Sequence, residues 1–323
     1  MTHHHKPKML AIGTATQDVF LQGKVFRAHK EDGKLYEEFA LGAKLPVETV
    51  TFTTGGNAMN AATTFARQGL ESEFMGIIGT EPAGQAVMAA LDTEGISTQY
   101  VVQDDDFQTS YSTVLLAPSG ERTILNYHGT HVHDNGAPLD LDAVGHADWL
   151  YLSSVGSVAL LERLVTIAAK NGVQVALNPS GAELAEAAKL RTVLEDVSIL
   201  LVNKEEMAQI VEGKTLEELV RHGANLVQTV VVSDGSRGVM AADGTKVVKA
   251  GMYEDVPVVD RLGAGDAFGS GFVAWHAMGK SLEDAITFAS ANATSVVTKV
   301  GATAGILHAH ADIHGMPLQV KDF

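Results

Sequence analysis

There is no cysteine anywhere in the 323 residues. Disulfides, thiolate metal sites and cysteine nucleophiles are excluded, and a cytoplasmic location is the expectation. Long apolar runs are missing too. None reaches the roughly 20 residues that a membrane helix needs. The first residues, M-T-H-H-H-K-P-K, lack the apolar stretch of a signal peptide. Positive charge is scarce: 23 Lys and Arg stand against 39 Asp and Glu, a net charge of −16 with His neutral. Nucleic acid and anionic membranes would be repelled, so neither is expected as a partner. An anion can still be held locally by backbone N–H groups or through a divalent cation. Several catalytic signatures are also absent. There is no Walker Gly-Lys-Ser/Thr step, no H-E-x-x-H zinc helix and no G-x-S-x-G elbow. The first strand leads into G-T-A-T-Q-D rather than G-x-G-x-x-G, which argues against a dinucleotide dehydrogenase.

What is present reads as a globular chain. Apolar residues make up 46% and charged residues 19%, enough to bury a large core and to exclude disorder. Met9 to Gly13 reads as a buried strand ending in glycine. Residues 19–53 differ from the rest: alternating segments flank Glu31-Asp32-Gly33-Lys34, a hairpin signal. From Gly55 onward helices and strands alternate, with a further strand-rich stretch over 108–131. W-L-Y-L-S, V-Q-V-A-L-N, S-I-L-L-V-N and T-V-V-V-S read as buried strands. Helices are predicted near 158–171, 182–195, 205–211, 215–224, 264–279 and 282–299. Continuous apolar strands between helices predict a doubly wound, mostly parallel α/β sheet covered on both faces. The core is then 1–18, 54–107 and 132–323, with 19–53 and 108–131 forming a β-rich lid over the carboxyl edge of the sheet, where ligands sit.

Five short stretches carry chemistry. D-R-L-G-A-G-D-A-F-G-S-G-F, from Asp260 to Phe272, places Gly263, Ala264 and Gly265 at a helix start with Asp266 in its first turn. Such N–H groups attract an anion, and a carboxylate beside it suits a base that takes a proton from an attacking hydroxyl. A cap with close packing would use the same residues. T-T-G-G-N-A-M-N-A-A sets Gly55-Gly56 before a helix, with Asn57 and Asn60 one turn apart to bind hydroxyls, or simply a tight turn into a capped helix. Asp18 follows the first strand, where a carboxylate can accept from two sugar hydroxyls or stand solvated in a loop. Asn203 and Glu206, in L-L-V-N-K-E-E, can orient Mg²⁺ waters or cap a helix. V-V-V-S-D-G-S-R-G offers Ser233, Gly235 and Gly238, with Arg237, to nucleotide phosphates, or forms a plain hairpin. His128, His131 and His133 cluster without a zinc spacing and read as a polar lid segment.

The order and spacing of these stretches resemble the ribokinase-like, or PfkB-type, carbohydrate kinase family over nearly the whole chain. The tail A-N-A-T-S-V-V-T-K-V-G-A belongs to the same pattern. The resemblance implies an ATP- and Mg²⁺-dependent kinase, with Asp266 as base on a hydroxymethyl group and Gly263, Ala264 and Gly265 as the anion hole. It implies an N-x-x-E element at Asn203 and Glu206 supporting Mg²⁺. It places the nucleotide-phosphate turn at Ser233, Gly235 and Gly238, and the adenosine end at Asn292. It implies K⁺ near Asp260, Leu262, Val296, Lys299 and Gly301, although Gly305 stands where ribokinases often add a Ser, and Arg261 and Leu262 replace a Thr pair. At the acceptor end Asp18, Gly55, Gly56 and Asn60 are retained. Thr16, Asn57 and Ser153 replace the Asn, Lys and Glu of ribokinases, so a diol other than free ribose is expected: another furanose, a keto-sugar or a nucleoside. Arg122, on a lid strand, would meet a phosphate on a sugar-phosphate acceptor or stay solvated. Edge strands of the lid imply a homodimer. A non-catalytic sugar- or nucleotide-binding regulator is the competing reading.

Overall fold

The computed structural model describes residues 6–119, 121–130, 138–253 and 256–323. His131 and His133 lie outside them. The chain opens with β1 (Lys8–Gly13), β2 (Thr16–Gln22), β3 (His29–Glu31), β4 (Lys34–Tyr36) and β5 (Thr49–Gly55). Then come α1 (Asn57–Arg67), β6 (Glu71–Gly79), α2 (Pro82–Thr93), β7 (Ser97–Asp104), β8 (Ser110–Leu116) and β9 (Arg122–Tyr127). The alternating part follows with β10 (Trp149–Ser153), α3 (Val158–Asn171), β11 (Gln174–Asn178), α4 (Gly181–Leu184), α5 (Ala187–Val193), β12 (Ile199–Asn203), α6 (Lys204–Ile210), α7 (Leu216–Gly223) and β13 (Thr229–Ser233). It ends with β14 (Val239–Ala242), β15 (Lys246–Ala250), α8 (Ala264–Ala277), α9 (Leu282–Val297) and β16 (Leu318–Asp322).

Ten strands form one sheet in the order β16-β15-β14-β13-β12-β11-β10-β1-β6-β7. The seven from β13 to β7 run parallel; β14, β15 and β16 add an antiparallel edge. Successive side chains of a strand face opposite ways. In β1, Leu10 and Ile12 therefore pack with Leu164, Leu200 and Val230 on one face, while Met9 and Ala11 pack with Phe65, Tyr151 and Phe272 on the other. Both faces are covered, so the strands read as unbroken apolar runs. Among the described residues, no helix is long and apolar enough to cross a membrane.

A second sheet, in the order β5-β2-β8-β9, stands apart from the first. The Asp32-Gly33 step joins β3 to β4 with φ of 47° and 80°, the primed turn that suits a two-residue hairpin. That hairpin is a separate two-stranded unit.

Three elements differ from the sequence expectation. The helix predicted over 182–195 is broken into α4, α5 and a 3₁₀ turn at Leu194–Asp196. Glu186 leaves the helical region at φ −108°, ψ 40°, and the buried Glu183 turns back to accept from the N–H groups of Gly156 and Ser180. β16 is a largely exposed edge strand, so no apolar alternation announces it. Asp18, expected in a loop, lies inside β2, paired opposite Thr53 and Ser112.

Candidate active site

The carboxyl ends of the parallel strands collect the chemistry. Gly13 pairs with Ser153, Ser153 with Asn178, and Asn203 with Ser233, all at one edge of the sheet. At that edge α8 starts. Gly263 is its N-cap in the left-handed region, φ 76°. A Cβ there would lie 2.4 Å from the Ala302 Cβ and 2.7 Å from its Cα, so only glycine lets the turn pack on the 301–302 loop. A Cβ on Gly265 would meet nothing within 4 Å, leaving open space over the first turn. The N–H groups of a first turn have no intrahelical partner, and the helix dipole adds positive potential.

Asp266 sits in that turn. Asn60 Nδ2 donates to its Oδ2 at 2.8 Å. Burial pushes the Asp266 carboxyl up to about 6, against the Asn60 hydrogen bond, which pulls it down. The Asn60 Oδ1 is buried without a partner. Below, the Ser270 hydroxyl bridges the Asp266 carbonyl at 2.6 Å and the Thr64 hydroxyl at 2.8 Å, locking α8 to α1. Burial also raises the Tyr151 hydroxyl, and the Asp266 charge adds to that effect.

In β2, Asp18 is only 4% exposed. Burial raises its pKa; hydrogen bonds with Ser112 and Thr16 oppose this, and the nearby Asp260 charge reinforces it. A Cβ on Gly55 would come within 2.6 Å of the Asp18 Oδ2. Gly56, at φ 95°, touches the backbone of Thr14 and Ala15, where a Cβ would approach to 2.6 Å. Asn57 Nδ2 donates to the Ser154 hydroxyl at 2.7 Å, and Ser154 itself holds φ 53°. Asn57 and Asn60 thus share one face but have different partners, Ser154 and the carboxylate of Asp266. Beside them opens a pocket lined by Gly13, Ala15, Ile77, Phe107, His128 and Ser154.

On the other side Asn203 and Glu206 form a reciprocal cap. Asn203 Oδ1 accepts from the Glu206 N–H at 2.9 Å, and Glu206 Oε2 accepts from the Asn203 N–H at 2.8 Å. Burial raises the Glu206 carboxyl while the bonds from Asn203 hold it back. The helix-cap alternative is therefore realised, with one Glu206 oxygen outside the reciprocal pair. Next to it, the β13–β14 turn holds Ser233, Gly235 at φ 54° and Gly238 at φ 94°. Arg237 binds Asp234 with two guanidinium nitrogens, Nε at 2.8 Å, and lowers the Asp234 carboxyl. A Cβ on Gly238 would lie 2.0 Å from the Ala250 carbonyl. Gly238→Ala should therefore lower unfolding stability by about 1–3 kcal/mol, measured by denaturant unfolding.

Asn292, expected to contact adenosine, is fully buried, and both ends of its amide are used. Nδ2 donates to the Ala267 carbonyl and Oδ1 accepts from the Leu307 N–H, each at 2.8 Å. It ties α9 to α8 and to the following loop.

Asp260 is 3% exposed. Its Oδ1 accepts from the Leu262 N–H at 3.0 Å and its Oδ2 from the Gly301 N–H at 3.2 Å. Arg122 of β9 brings its Nε to 3.8 Å from Oδ1. The Val296 carbonyl accepts from Lys299 N–H at 3.1 Å. Gly305 packs so closely that a Cβ would be 2.4 Å from the Ser295 carbonyl, leaving no room for a serine. Leu262 and Gly301 thus face Asp260 with N–H groups, and the one ion-pair partner of Asp260 among the described residues is Arg122. Neither this pair nor the Asn60–Asp266 bond has a local sequence signal, because each joins segments far apart in the chain.

Known proteins share this architecture. The ribokinase of Haemophilus influenzae is 29% identical over 276 residues, spanning 81% of this chain and 88% of that protein. The structure of Arabidopsis thaliana ribokinase complexed with ribose and ATP superposes with a TM-score of 0.75 at 23% identity, over 94% of this chain and 96% of that one. The adenosine kinase of Sinorhizobium meliloti superposes with a TM-score of 0.73 at 19% identity, over 92% and 96%. At those identities the two structures share the fold. A model of the pfkB family of carbohydrate kinases matches residues 33–309, most of the chain, and the protein belongs to that family.

Proposed function

We propose that this chain moves the γ-phosphoryl of Mg·ATP to the hydroxymethyl group of a sugar or sugar-like acceptor. The observation that carries the proposal is the placement of Asp266: a carboxylate held by Asn60 in the first turn of a glycine-capped helix, at the carboxyl edge of the sheet. Asp266 takes the proton of the attacking hydroxyl. The new O–P bond forms as the bond from Pγ to the bridging oxygen of ATP breaks, and ADP leaves. The N–H groups of Gly263, Ala264 and Gly265 face the charge on the transferring group, that of Ala264 giving up its 3.4 Å bond to the Arg261 carbonyl. Mg²⁺ neutralises phosphate charge when bound, and the Glu206 oxygen outside the cap is suited to a metal-bound water. Ser233 and the open face of Gly235 form a turn that phosphates can approach, next in register to Asn203. Asp18 accepts from acceptor hydroxyls, with Gly55 and Gly56 giving room for it.

In this reading the β5-β2-β8-β9 sheet, from inserts 19–53 and 108–131, is a lid over the core. Its outer apolar residues, Val50, Phe52, Leu125 and Tyr127, are exposed and would pair with the same face of a second copy. Light scattering on the purified chain distinguishes two chains per particle, the expected result, from one. A cytoplasmic setting suits an ATP-dependent enzyme without cysteine.

A nucleoside acceptor is the second reading. It is favoured by the pocket next to Asn57, whose walls include Ile77 and Phe107, with His128. A flat base could lodge there while the ribose hydroxymethyl reaches Asp266.

The test is a coupled ADP-release screen with Mg·ATP over pentoses, keto-sugars, nucleosides and sugar phosphates. One acceptor should stand well above the rest. ATP binding with silence across the panel would instead favour a non-catalytic binding protein. With the acceptor in hand, Asp18→Ala should lower kcat/KM for it by roughly 100-fold, the loss of charged hydrogen bonds worth about 1.5–3 kcal/mol, while ATP affinity stays unchanged.

A further inference from the structure

We infer that Arg122, reaching down from the second sheet, supplies the positive charge that faces Asp260, so that the loop from Asp260 to Gly265 works without a monovalent cation. The inference rests on the reading of that loop as the anion hole of a kinase.

A carboxylate that is 3% exposed needs a counter-charge or a full set of donors. Asp260 has two backbone N–H donors, from Leu262 and Gly301. These bonds fix the two ends of the cradle: Leu262 leads into Gly263, and Gly301 precedes Ala302, the residue on which Gly263 packs. The negative charge itself remains, and Asp18 stands close enough to feel it. A bound K⁺ is one way to balance such a charge. The surroundings do not fit one well: the Val296 carbonyl already accepts from the Lys299 N–H, and Gly305 has no space for an added hydroxyl.

Arg122 answers the same need from inside the chain. Its guanidinium is permanently charged. Its Nε is buried, without a hydrogen-bond partner, and lies 3.8 Å from Asp260 Oδ1. That is within ion-pair range and beyond hydrogen-bond length, so a small inward movement of β9 would close the bond. β9 belongs to the sheet whose β2 strand carries Asp18. Acceptor capture at Asp18 and the tightening of the loop before Asp266 are thereby linked through one sheet. Arg122 is a positioning residue here, acting through Asp260 on the backbone donors.

The test compares wild type, Arg122→Gln, which keeps much of the stem and removes the charge, and Arg122→Lys, which keeps a charge. Each is studied in KCl and in choline chloride at equal ionic strength. Two quantities are read: the thermal midpoint without substrates, and ADP release with the best acceptor. The wild type should give the same midpoint and the same rate in both salts. Arg122→Gln should lose roughly tenfold in rate in choline, and should gain a K⁺-dependent rise in both midpoint and rate. Arg122→Lys should behave as the wild type does. A K⁺ response in the wild type, or no K⁺ response in Arg122→Gln, overturns the inference. The midpoint arm needs no turnover, so it decides the question even if the kinase reading fails.

Discussion

Asp266→Asn should lower kcat by about 10³-fold, within the range for loss of a positioned general base, while ATP still binds. The asparagine keeps the size and the hydrogen bond to Asn60, since its carbonyl oxygen can accept from Nδ2 as the carboxylate does. What it cannot do is take a proton. The pH dependence follows from the same environment. Burial raises the Asp266 carboxyl to about 6, and the base must be ionised to act. Wild-type kcat/KM should rise as pH increases toward about 6 and level off above it. The variant's residual rate should lack that limb. Stability should move the other way. An ionised Asp266 is less favourable in the folded chain than in the unfolded one, so its penalty is absent below the ordinary value of 3.8 and complete above about 6. Asp266→Asn should therefore be more stable than the wild type at pH 8, by about 1–2 kcal/mol once screening by the open cleft is counted, and equal to it below about pH 3. Thermal unfolding at the two pH values checks the sign.

Gly263→Ala should be nearly as damaging, through shape rather than charge. The added methyl would collide with Ala302 at 2.4 Å, and the backbone sits at φ 76°, where an alanine is strained. Relief can come only by moving the start of α8 or the 301–302 loop. Either movement misdirects the N–H groups that the proposed mechanism aims at the phosphoryl group. Loss of one such donor costs about 10²–10³ in kcat. KM for the acceptor should change less, because Asp18 and Gly55 are not displaced directly. Gly265→Ala is the matched control: its Cβ would meet nothing within 4 Å, so the fold should tolerate it. Steady-state kinetics and thermal midpoints of the two variants separate collision from simple loss of a glycine. An equal drop in thermal midpoint from both would show that the Ala302 contact is not the cause.

The sequence made the parallel strands plain because both faces of the sheet are covered, leaving apolar runs such as W-L-Y-L-S unmixed with polar residues. The Gly263-Ala264-Gly265-Asp266 step was legible because its chemistry is local: cap, first turn and carboxylate are consecutive. The hairpin at Asp32-Gly33 was legible for the same reason. Distant pairs were not. Asn60 looks from the sequence like a hydroxyl binder, and only the packing of α1 on α8 turns its amide to Asp266. Asn292 looks like a ligand contact, and only the fold shows both ends of its amide consumed inside the protein. Arg122 has no sequence neighbour that points to Asp260; the fold of β9 over the site creates the pair. Glu183 pulls the chain from 181 to 196 out of a single helix by bonding back to Gly156, a contact no helical periodicity encodes.

The most direct test follows the phosphoryl group itself. Wild type and Asp266→Asn would be incubated with γ-³²P-labelled ATP, Mg²⁺ and the best acceptor of the screen, and label in the phosphorylated acceptor would be counted over time. The account predicts transfer to the acceptor hydroxyl by the wild type and a rate about 10³-fold lower in the variant, with ATP binding preserved. Equal transfer by both proteins would contradict Asp266 as the base. Label released only as inorganic phosphate, with none on any acceptor, would contradict the kinase reading.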